Sequence, residues 1–471
     1  MRYDTETETI HGHEYGHGYG HGHGSNVAHT LAPLTMGCYR LRLIFSVVVK
    51  LSGSSLRRTQ RKMEPQRTLT DLPFEVLDLI YKALAFKDRY EYWRGYTVYS
   101  YSKDKLNLAE TCEYLGRAFA YHSRHVYKKA MYENSYPFIS KRDYSLIISL
   151  CGSTAEEYVG SPGCNWSAEV AQAVGQYCPN LQRVQFQVYF DNGEVVLSIL
   201  HKAKNSIRTL KFGYETGRPL RMGAPIMHKI PDMPLLRNLT VDRCYNEEAY
   251  EIQRFLNIEE LYLCSVYTLR EDPKPLNLFK VCAPLKKLRL LTVVCINIIS
   301  DTDEDEAIPE FPALEHFKLS SCMISMEFPS CPKLKILDIG YSKCHIEGLV
   351  CRSVLKQGKD LERLIVESRP SQFDNDSFLE VVRRFRKLRH FDVPIRKIKF
   401  DLGFVTEVVN VLKENGVTQE DPLELELDEV SKIHWLKHWD INDFLNKLKV
   451  EDDTSAWQLE ESQVSARSNN L

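Results

Sequence analysis

The chain has 471 residues, of which 43% are hydrophobic, so it can bury a large core as several domains or one long repeat array. Its 61 basic and 63 acidic side chains leave a formal net charge of −2, which excludes a general electrostatic attraction to nucleic acid or to an anionic membrane. The 13 cysteines include no C-x-x-C pair and therefore indicate neither a zinc module nor a redox motif. A reducing compartment fits this cysteine pattern.

The first 67 residues differ in composition from the rest of the chain. Residues 11–24 alternate His, Gly and Tyr, so too little apolar area is available to offset chain entropy, and residues 1–67 are predicted to be a disordered, His/Gly-rich extension. The apolar residues 43–49 are far fewer than the roughly 20 that span a bilayer. Translation from Met36 would create a weak signal peptide, which leaves a secreted protein as one alternative.

Residues 68–84 predict an amphipathic helix. Pro73 stands at its start, where a missing N–H costs nothing, and Glu75 in the first turn suits the helix dipole. An apolar stripe at helical spacing follows and requires a covering surface. The stripe consists of Val76, Leu77, Ile80 and Leu84.

A second amphipathic helix is predicted after Asp104, which is a suitable N-cap. Its apolar residues recur every three or four positions, so the helix can close against the first one as a hairpin. They are Leu108, Cys112, Leu115 and Phe119.

The order of residues in these two segments resembles the F-box. The matching positions are Leu72-Pro73, Glu75, Val76-Leu77, Ile80, Leu84, Asp88, Leu108, Cys112 and Phe119. The resemblance implies an F-box-like helical domain at residues 68–125 that docks on a Skp-type adaptor and, through it, on a cullin. By carry-over from the family, the adaptor-facing residues are Leu72, Pro73, Val76, Leu77 and Ile80. The alternative is that these side chains form the core of a small helical domain.

The chain departs from the F-box pattern at residues 89–105, where an insertion separates the two helices. The insertion is rich in tyrosine, a side chain that combines apolar area with a polar end. It is interpreted as a surface loop that packs on itself, contacts a partner or obstructs adaptor binding.

From Tyr177 onward, the pattern L-x-x-L-x-L recurs in nine copies that begin 20 to 29 residues apart, and this is the strand signature of a leucine-rich repeat. The copies begin at Leu181, Ile207, Leu236, Ile258, Leu285, Leu314, Leu334, Leu361 and Leu388. The expected fold is α/β: the small all-α hairpin, then a curved solenoid at residues 126–450 with inner parallel strands, outer helices or irregular arms, and a C-terminal cap. Residues 451–471 are predicted to be a disordered tail.

Alternation along each strand predicts that the residue between the second and third apolar positions faces outward. Those residues are Gln185, Lys211, Thr240, Tyr262, Arg289, Lys318, Asp338, Ile365 and Asp392. The substrate-binding candidates among them are Tyr262, Arg289, Lys318 and Lys211, because aromatic and arginine side chains are enriched at binding hot spots and the basic residues would select an acidic partner. The alternative is a solvated surface without a partner.

Catalytic and metal-binding motifs are missing from the sequence. It contains no H-E-x-x-H and no G-x-S-x-G, and residues 358–360 lack the remaining elements of a phosphate loop. His434 and His438 have no evident third ligand, and the acidic run at 301–306 lacks the glycine and spacing of a calcium loop. No catalytic residue, metal or cofactor is therefore expected.

The resemblance implies a cytoplasmic or nuclear substrate receptor of an SCF-type ubiquitin ligase, which binds an unidentified target protein and is not itself an enzyme. Two alternatives remain at this point. One is a repeat scaffold that binds proteins without ligase association, and the other is the secreted repeat protein that Met36 would initiate.

Overall fold

The structure is a computed structural model that describes the chain in separate ranges. Of the two compact units, Met1–Thr68 and Leu69–Leu471, the first is described only at Thr68. The predicted extension 1–67, residues 89–102 of the predicted insertion 89–105, the end of the predicted C-terminal cap (427–450) and the predicted tail 451–471 lie outside the described residues. The described ranges are 68–84, 103–125, 128–132, 140–160, 168–188, 192–214, 225–244, 246–265, 275–299, 309–367, 373–393, 398–399, 401–418 and 421–426.

Three helices form the first part of the second unit: α1 (Phe74–Leu84), α2 (Lys103–Glu110) and α3 (Glu113–Ser123). The first predicted helix is confirmed as α1. The prediction of one continuous helix after Asp104 is wrong, because Cys112 has extended backbone angles (φ −161°, ψ 162°) and separates α2 from α3. The hydroxyl of Thr111 donates to the carbonyl oxygen of Leu108 at 2.8 Å and stabilises this turn. Cys112 is consequently exposed and does not belong to the apolar stripe.

The helix α4 (Lys141–Cys151) belongs to two hydrophobic cores at once. Ile147 and Cys151 lie in the core of α1–α3, whereas Tyr144 and Ile148 lie in the core that continues beneath the large sheet. One helix therefore joins the helical part to the sheet by packing on both of its faces.

Strands in the described ranges form a 12-stranded parallel sheet in which neighbours follow one another along the chain. Because neighbouring strands are parallel and follow one another along the chain, a crossover connection leads from each strand to the next. The strands are β1 (Lys129–Tyr132), β2 (Glu157–Gly160), β3 (Arg183–Val188), β4 (Thr209–Tyr214), β5 (Asn238–Cys244), β6 (Glu260–Ser265), β8 (Leu290–Val294), β10 (His316–Ser320), β12 (Ile336–Gly340), β14 (Arg363–Val366), β15 (His390–Asp392) and β16 (Glu424–Glu426).

Helices or short 3-10 turns fill most of the crossovers. The α-helices are α5 (Ala168–Tyr177), α6 (Gly193–Ala203), α7 (Asn246–Ala249), α8 (Leu278–Cys282), α9 (Leu349–Leu355), α10 (Asn375–Arg384) and α11 (Leu402–Glu414). The fold is thus α/β with a large parallel sheet, as predicted at this level. In the described part of the chain, no helix has the length and apolarity needed to cross a bilayer.

Four short strands form a second parallel sheet in the middle of the array, in the order β13-β11-β9-β7. They are β7 (Pro275–Leu276), β9 (Asn297–Ile298), β11 (Met323–Ile324) and β13 (Lys343–Cys344). The chain turns from the large sheet into β9, β11 and β13 through one residue with positive φ each time, at Cys295 (56°), Ser321 (54°) and Tyr341 (50°). Among the described residues, the crossovers that contain β9 and β11 have this extended arm and no α-helix, whereas those that contain β7 and β13 have both the arm and a helix, α8 or α9.

The strand pairing confirms the register of eight predicted copies and corrects the fifth. Glu260 pairs with Leu290 and Tyr262 with Thr292, so the apolar positions of the fifth copy are Leu288, Leu291 and Val293, not Leu285, Leu288 and Leu290. Leu291 and Val293 are 1% and 0% exposed, whereas Leu290 is half-buried on the opposite face of the sheet, which is open. Arg289 therefore precedes β8, three residues ahead of the position aligned with Tyr262.

Candidate functional site

The open face of the large sheet presents a row of side chains in strict register. Gln185 aligns with Lys211, Lys211 with Thr240, and Thr240 with Tyr262. After Thr292, the row continues through Lys318, Asp338, Ile365 and Asp392. Parallel strands place these side chains about 4.8 Å apart in one line, so the face can contact one partner over many strands.

A depression of about 420 Å³ lies on this face over strands β2 to β8. Its lining includes two of the predicted substrate-binding residues, Lys211 and Tyr262, and neither Arg289 nor Lys318. The other polar lining residues are Glu157, Arg183, Gln185, Thr209, Asn238, Thr240, Glu260 and Thr292. The structure thus brings Lys211 and Tyr262 together in one depression and places Arg289 and Lys318 outside it.

Tyr262 forms one wall of the depression. Its side chain is half-buried between Thr240 and Thr292. Burial, followed by the nearby Cys264 and Asp242, raises the pKa of the phenol above 10.0. The hydroxyl is therefore a neutral donor and acceptor near pH 7, and the ring offers apolar area beside it.

Arg289 occupies a different surface from the one predicted. It lies at the edge where strands begin, and its Nε donates to Glu315 Oε1 at 2.9 Å. Lys335 Nζ donates to the other carboxylate oxygen of Glu315 at 3.1 Å. Hydrogen bonds from Arg289 and then Lys335 lower the pKa of Glu315 to about 2. Arg289 is thus engaged in a charge ladder that crosses three units.

Lys318 lies at its predicted outward position, but its charge is neutralised by a neighbour. Its Nζ donates to Asp338 Oδ2 at 2.5 Å, and Asp338 is the aligned residue of the next strand. Lys211, in contrast, has no ion-pair or hydrogen-bond partner among the described residues. Of the predicted cations on this row, Lys211 alone keeps its charge available.

A second candidate surface lies on α1, where the adaptor-binding residues were predicted. Leu77 and Ile80 are 0% and 7% exposed and belong to the core of the helical part, so they do not face outward. Pro73 is exposed, and Leu72 and Val76 are half-buried. The predicted set is therefore divided between the inside and the outside of the helix, because two faces of α1 are apolar.

Leu79 is the residue of this surface that sequence reasoning missed. It is 63% exposed, the largest exposed fraction among the large hydrophobic side chains described. Val76, Leu79 and Ala83 recur at spacings of three and four residues and share one helical face. The spacing of three residues between Val76 and Leu79 could have predicted that Leu79 shares this face. Leu77 and Ile80, however, fit a second apolar stripe on the same helix equally well.

Polar contacts hold α1 in place on α3. The Tyr114 hydroxyl donates to the carbonyl oxygen of Leu72 at 2.8 Å and anchors the residue before Pro73. Asp78 lies 2.7 Å from His122 Nδ1 and 2.7 Å from Lys82 Nζ. The hydrogen bond from Lys82, with His122 contributing, lowers the pKa of Asp78, whereas burial lowers the pKa of His122.

The described residues contain no cluster of three or more His, Cys, Asp or Glu side chains that could hold a metal ion. Burial raises the pKa of several cysteines, for example that of Cys151 to about 12 and that of Cys178 to about 11, which disfavours their thiolate forms. No protein-family profile matches the chain, and no curated protein matches it.

Proposed function

We propose that this protein is a substrate receptor of an SCF-type ubiquitin ligase: its helical part is an F-box that docks on a Skp-type adaptor, and its repeats form a curved leucine-rich-repeat solenoid that captures a target protein. The observation that carries the proposal is the exposed apolar face of α1. Leu79 is 63% exposed on a helix whose opposite face is fully packed. Neighbouring apolar side chains that remain outside a core form a candidate interaction site.

The geometry of α1 supports docking by the residues that remain outside. Pro73, Val76, Leu79 and Ala83 offer apolar contact area, and the anchored carbonyl of Leu72 fixes the start of the helix. Leu77 and Ile80 support this surface from beneath. We therefore assign adaptor contact to the outer residues and a positioning role to the two buried ones.

The parallel array supports capture of a protein target. A partner that binds the open face is held at a fixed place relative to α1, because α4 packs into both cores. A receptor of this kind acts by proximity: it raises the effective concentration of target lysines near a ubiquitin-charged enzyme that a cullin recruits. No nucleophile, metal or cofactor of the chain is required for this role, and its place of action would be the cytoplasm or the nucleus.

Co-purification of the Skp-type adaptor with the full-length chain tests the proposal. Leu79→Glu is expected to abolish adaptor recovery, because a charge on the contact face cannot be desolvated without a partner. Leu256→Glu is the matched control: Leu256 is 57% exposed and lies in the repeats, so its variant should recover the adaptor like the parent. Failure of the parent to bind, or equal binding by Leu79→Glu, would overturn the proposal.

A repeat scaffold without ligase association is the second candidate. The burial of Leu77 and Ile80 favours it, since two of the five residues expected at the adaptor surface are unavailable there. The same co-purification separates the two functions. A parent protein that captures targets but never recovers the adaptor is a scaffold.

A further inference from the structure

We infer that the depression over β2 to β8 binds an acidic peptide segment of a partner protein, with two carboxylates at alternate positions and a large apolar residue further along. The inference rests on the proposed function in one respect: the open face of the large sheet is taken as the surface that captures the partner. It does not depend on adaptor binding.

Two cations without a described partner line one end of the depression. Arg183 and Lys211 are both exposed, and neither has an ion-pair or hydrogen-bond partner among the described residues. Arg183 aligns with Thr209 on the next strand, two residues before Lys211. Strand geometry then places the Cα atom of Arg183 about 8 Å from that of Lys211.

Several cations elsewhere along the same sheet are paired with acids from neighbouring units, although Arg363 on β14 has no partner among the described residues. Lys318 is bound to Asp338 and Arg289 to Glu315. Arg389 Nε donates to Asp421 at 2.7 Å. Arg183 and Lys211 lie on the adjacent strands β3 and β4 without a described partner. An anionic partner would offset the repulsion between these two cations.

The spacing of the cations fits alternate carboxylates. In an extended peptide, side chains two residues apart lie on the same side and about 7 Å from one another. This matches the separation between Arg183 and Lys211. Gln185 and Thr209 lie on the same two strands and supply neutral hydrogen-bonding groups.

Acidic residues limit the length of the anionic segment. Glu157 on β2 aligns with Arg183, and Glu260 on β6 accepts a hydrogen bond from Asn238 Nδ2 at 2.6 Å. A long acidic run or a nucleic-acid backbone would meet these carboxylates at either end. The site accordingly suits two or three negative charges and no more.

The other end of the depression is less polar. Tyr262 and Leu290 are half-buried there and offer an aromatic ring and a branched aliphatic side chain. Tyr262 is two strands from Lys211, a distance of about 10 Å that three extended residues cover. A large apolar residue three positions after the second carboxylate would reach this wall.

Binding to an array of ten-residue peptides tests the inference with the purified full-length protein. The array holds peptides with two carboxylates at alternate positions, their Asn/Gln counterparts and their phosphoserine counterparts, each with varied flanking residues. The carboxylate peptides that carry the apolar residue are expected to be enriched among those bound. Their affinity should fall about tenfold in the double variant Arg183→Ala, Lys211→Ala.

Lys318→Ala is the matched control, because Lys318 lies in the same row but is already paired, and its effect should be less than about twofold. No enrichment over the Asn/Gln peptides, or equal losses in both variants, would overturn the inference. Binding of the phosphoserine peptides alone would overturn the assignment to carboxylates. Adaptor recovery, measured in parallel, distinguishes failure of this inference from failure of the ligase proposal.

Discussion

The phenol hydroxyl of Tyr81 donates a hydrogen bond to the carbonyl oxygen of Leu115, with 2.9 Å between the two oxygens. Tyr81 is 0% exposed on α1, and its ring meets that of Phe119 edge-on at 5.6 Å between centroids. Leu115 lies 34 positions later, on α3. This contact therefore joins the helix that carries the candidate docking face to the helix that supports it.

Replacement of Tyr81 by Phe is expected to reduce the local stability of the helical part by about 1–2 kcal/mol, because a buried carbonyl oxygen loses its donor. Hydrogen exchange of the α1 and α3 amides measures this change. Tyr114→Phe is the control: it removes a comparable bond of 2.8 Å at a half-buried site and should have a smaller effect. Exchange rates in Tyr81→Phe that match those of the parent would contradict the prediction.

Truncation of two neighbouring leucines on α1 is expected to have opposite consequences. Leu77→Ala should cost about 2–5 kcal/mol, because it leaves a cavity in the core. Leu79→Ala should change stability by less than about 0.5 kcal/mol, since its side chain is exposed. Chemical denaturation measures the free energy of unfolding of both variants, and hydrogen exchange of the α1 amides measures the local stability of the helix. Similar losses in the two variants would mean that Leu79 is not on the outside.

Glu248 is expected to make stability depend on pH. The Glu248 side chain is 5% exposed. Its Oε1 accepts hydrogen bonds from the Tyr214 hydroxyl and the Met227 amide, both at 2.8 Å. Its Oε2 has no hydrogen-bond partner among the described residues. Burial is the largest influence and raises its pKa above 4.5. Below the unfolded-state pKa the carboxyl is protonated in both states, so its stabilising contribution is complete and is lost as pH rises through the raised pKa.

Glu248→Gln keeps an acceptor for Tyr214 and Met227 and removes the ionisable group. Its stability should match that of the parent below the unfolded-state pKa of the carboxyl and exceed it as pH rises through the raised folded-state pKa. Urea denaturation midpoints across this range provide the measurement. A parent that gains stability relative to the variant as pH rises would show that the hydrogen bonds outweigh burial.

Ser321 is expected to tolerate glycine better than its neighbour does. Its φ of 54° is unfavourable for a residue with a Cβ atom, so Ser321→Gly should stabilise the turn between β10 and β11 by up to about 1 kcal/mol. Ser320→Gly, within β10, should destabilise instead, because glycine weakens strands. Thermal denaturation of the two variants checks the signs, and shifts in the same direction would refute the assignment.

Much of the repeat array could be predicted because L-x-x-L-x-L alternates with the period of a strand. Gln185, Lys211, Thr240 and Tyr262 were expected in one row and pair in that order. The fifth copy was misread because residues 285–293 satisfy the pattern in two frames that differ by three residues. Only pairing with β6 selects the frame that buries Leu291 and Val293.

The local sequence by itself determined where most of the strands of the large sheet and α1 lie, since apolar periodicity is a property of a few neighbouring residues, but it did not predict the break at Cys112 or the second sheet. The tertiary structure alone decided which side of each element is covered. It separated Leu77 from Leu79 on one helix, and it paired Lys318 with Asp338 while leaving Lys211 without a described partner. The Lys318–Asp338 pair joins residues that are 20 positions apart in the sequence and meet only when adjacent strands pair.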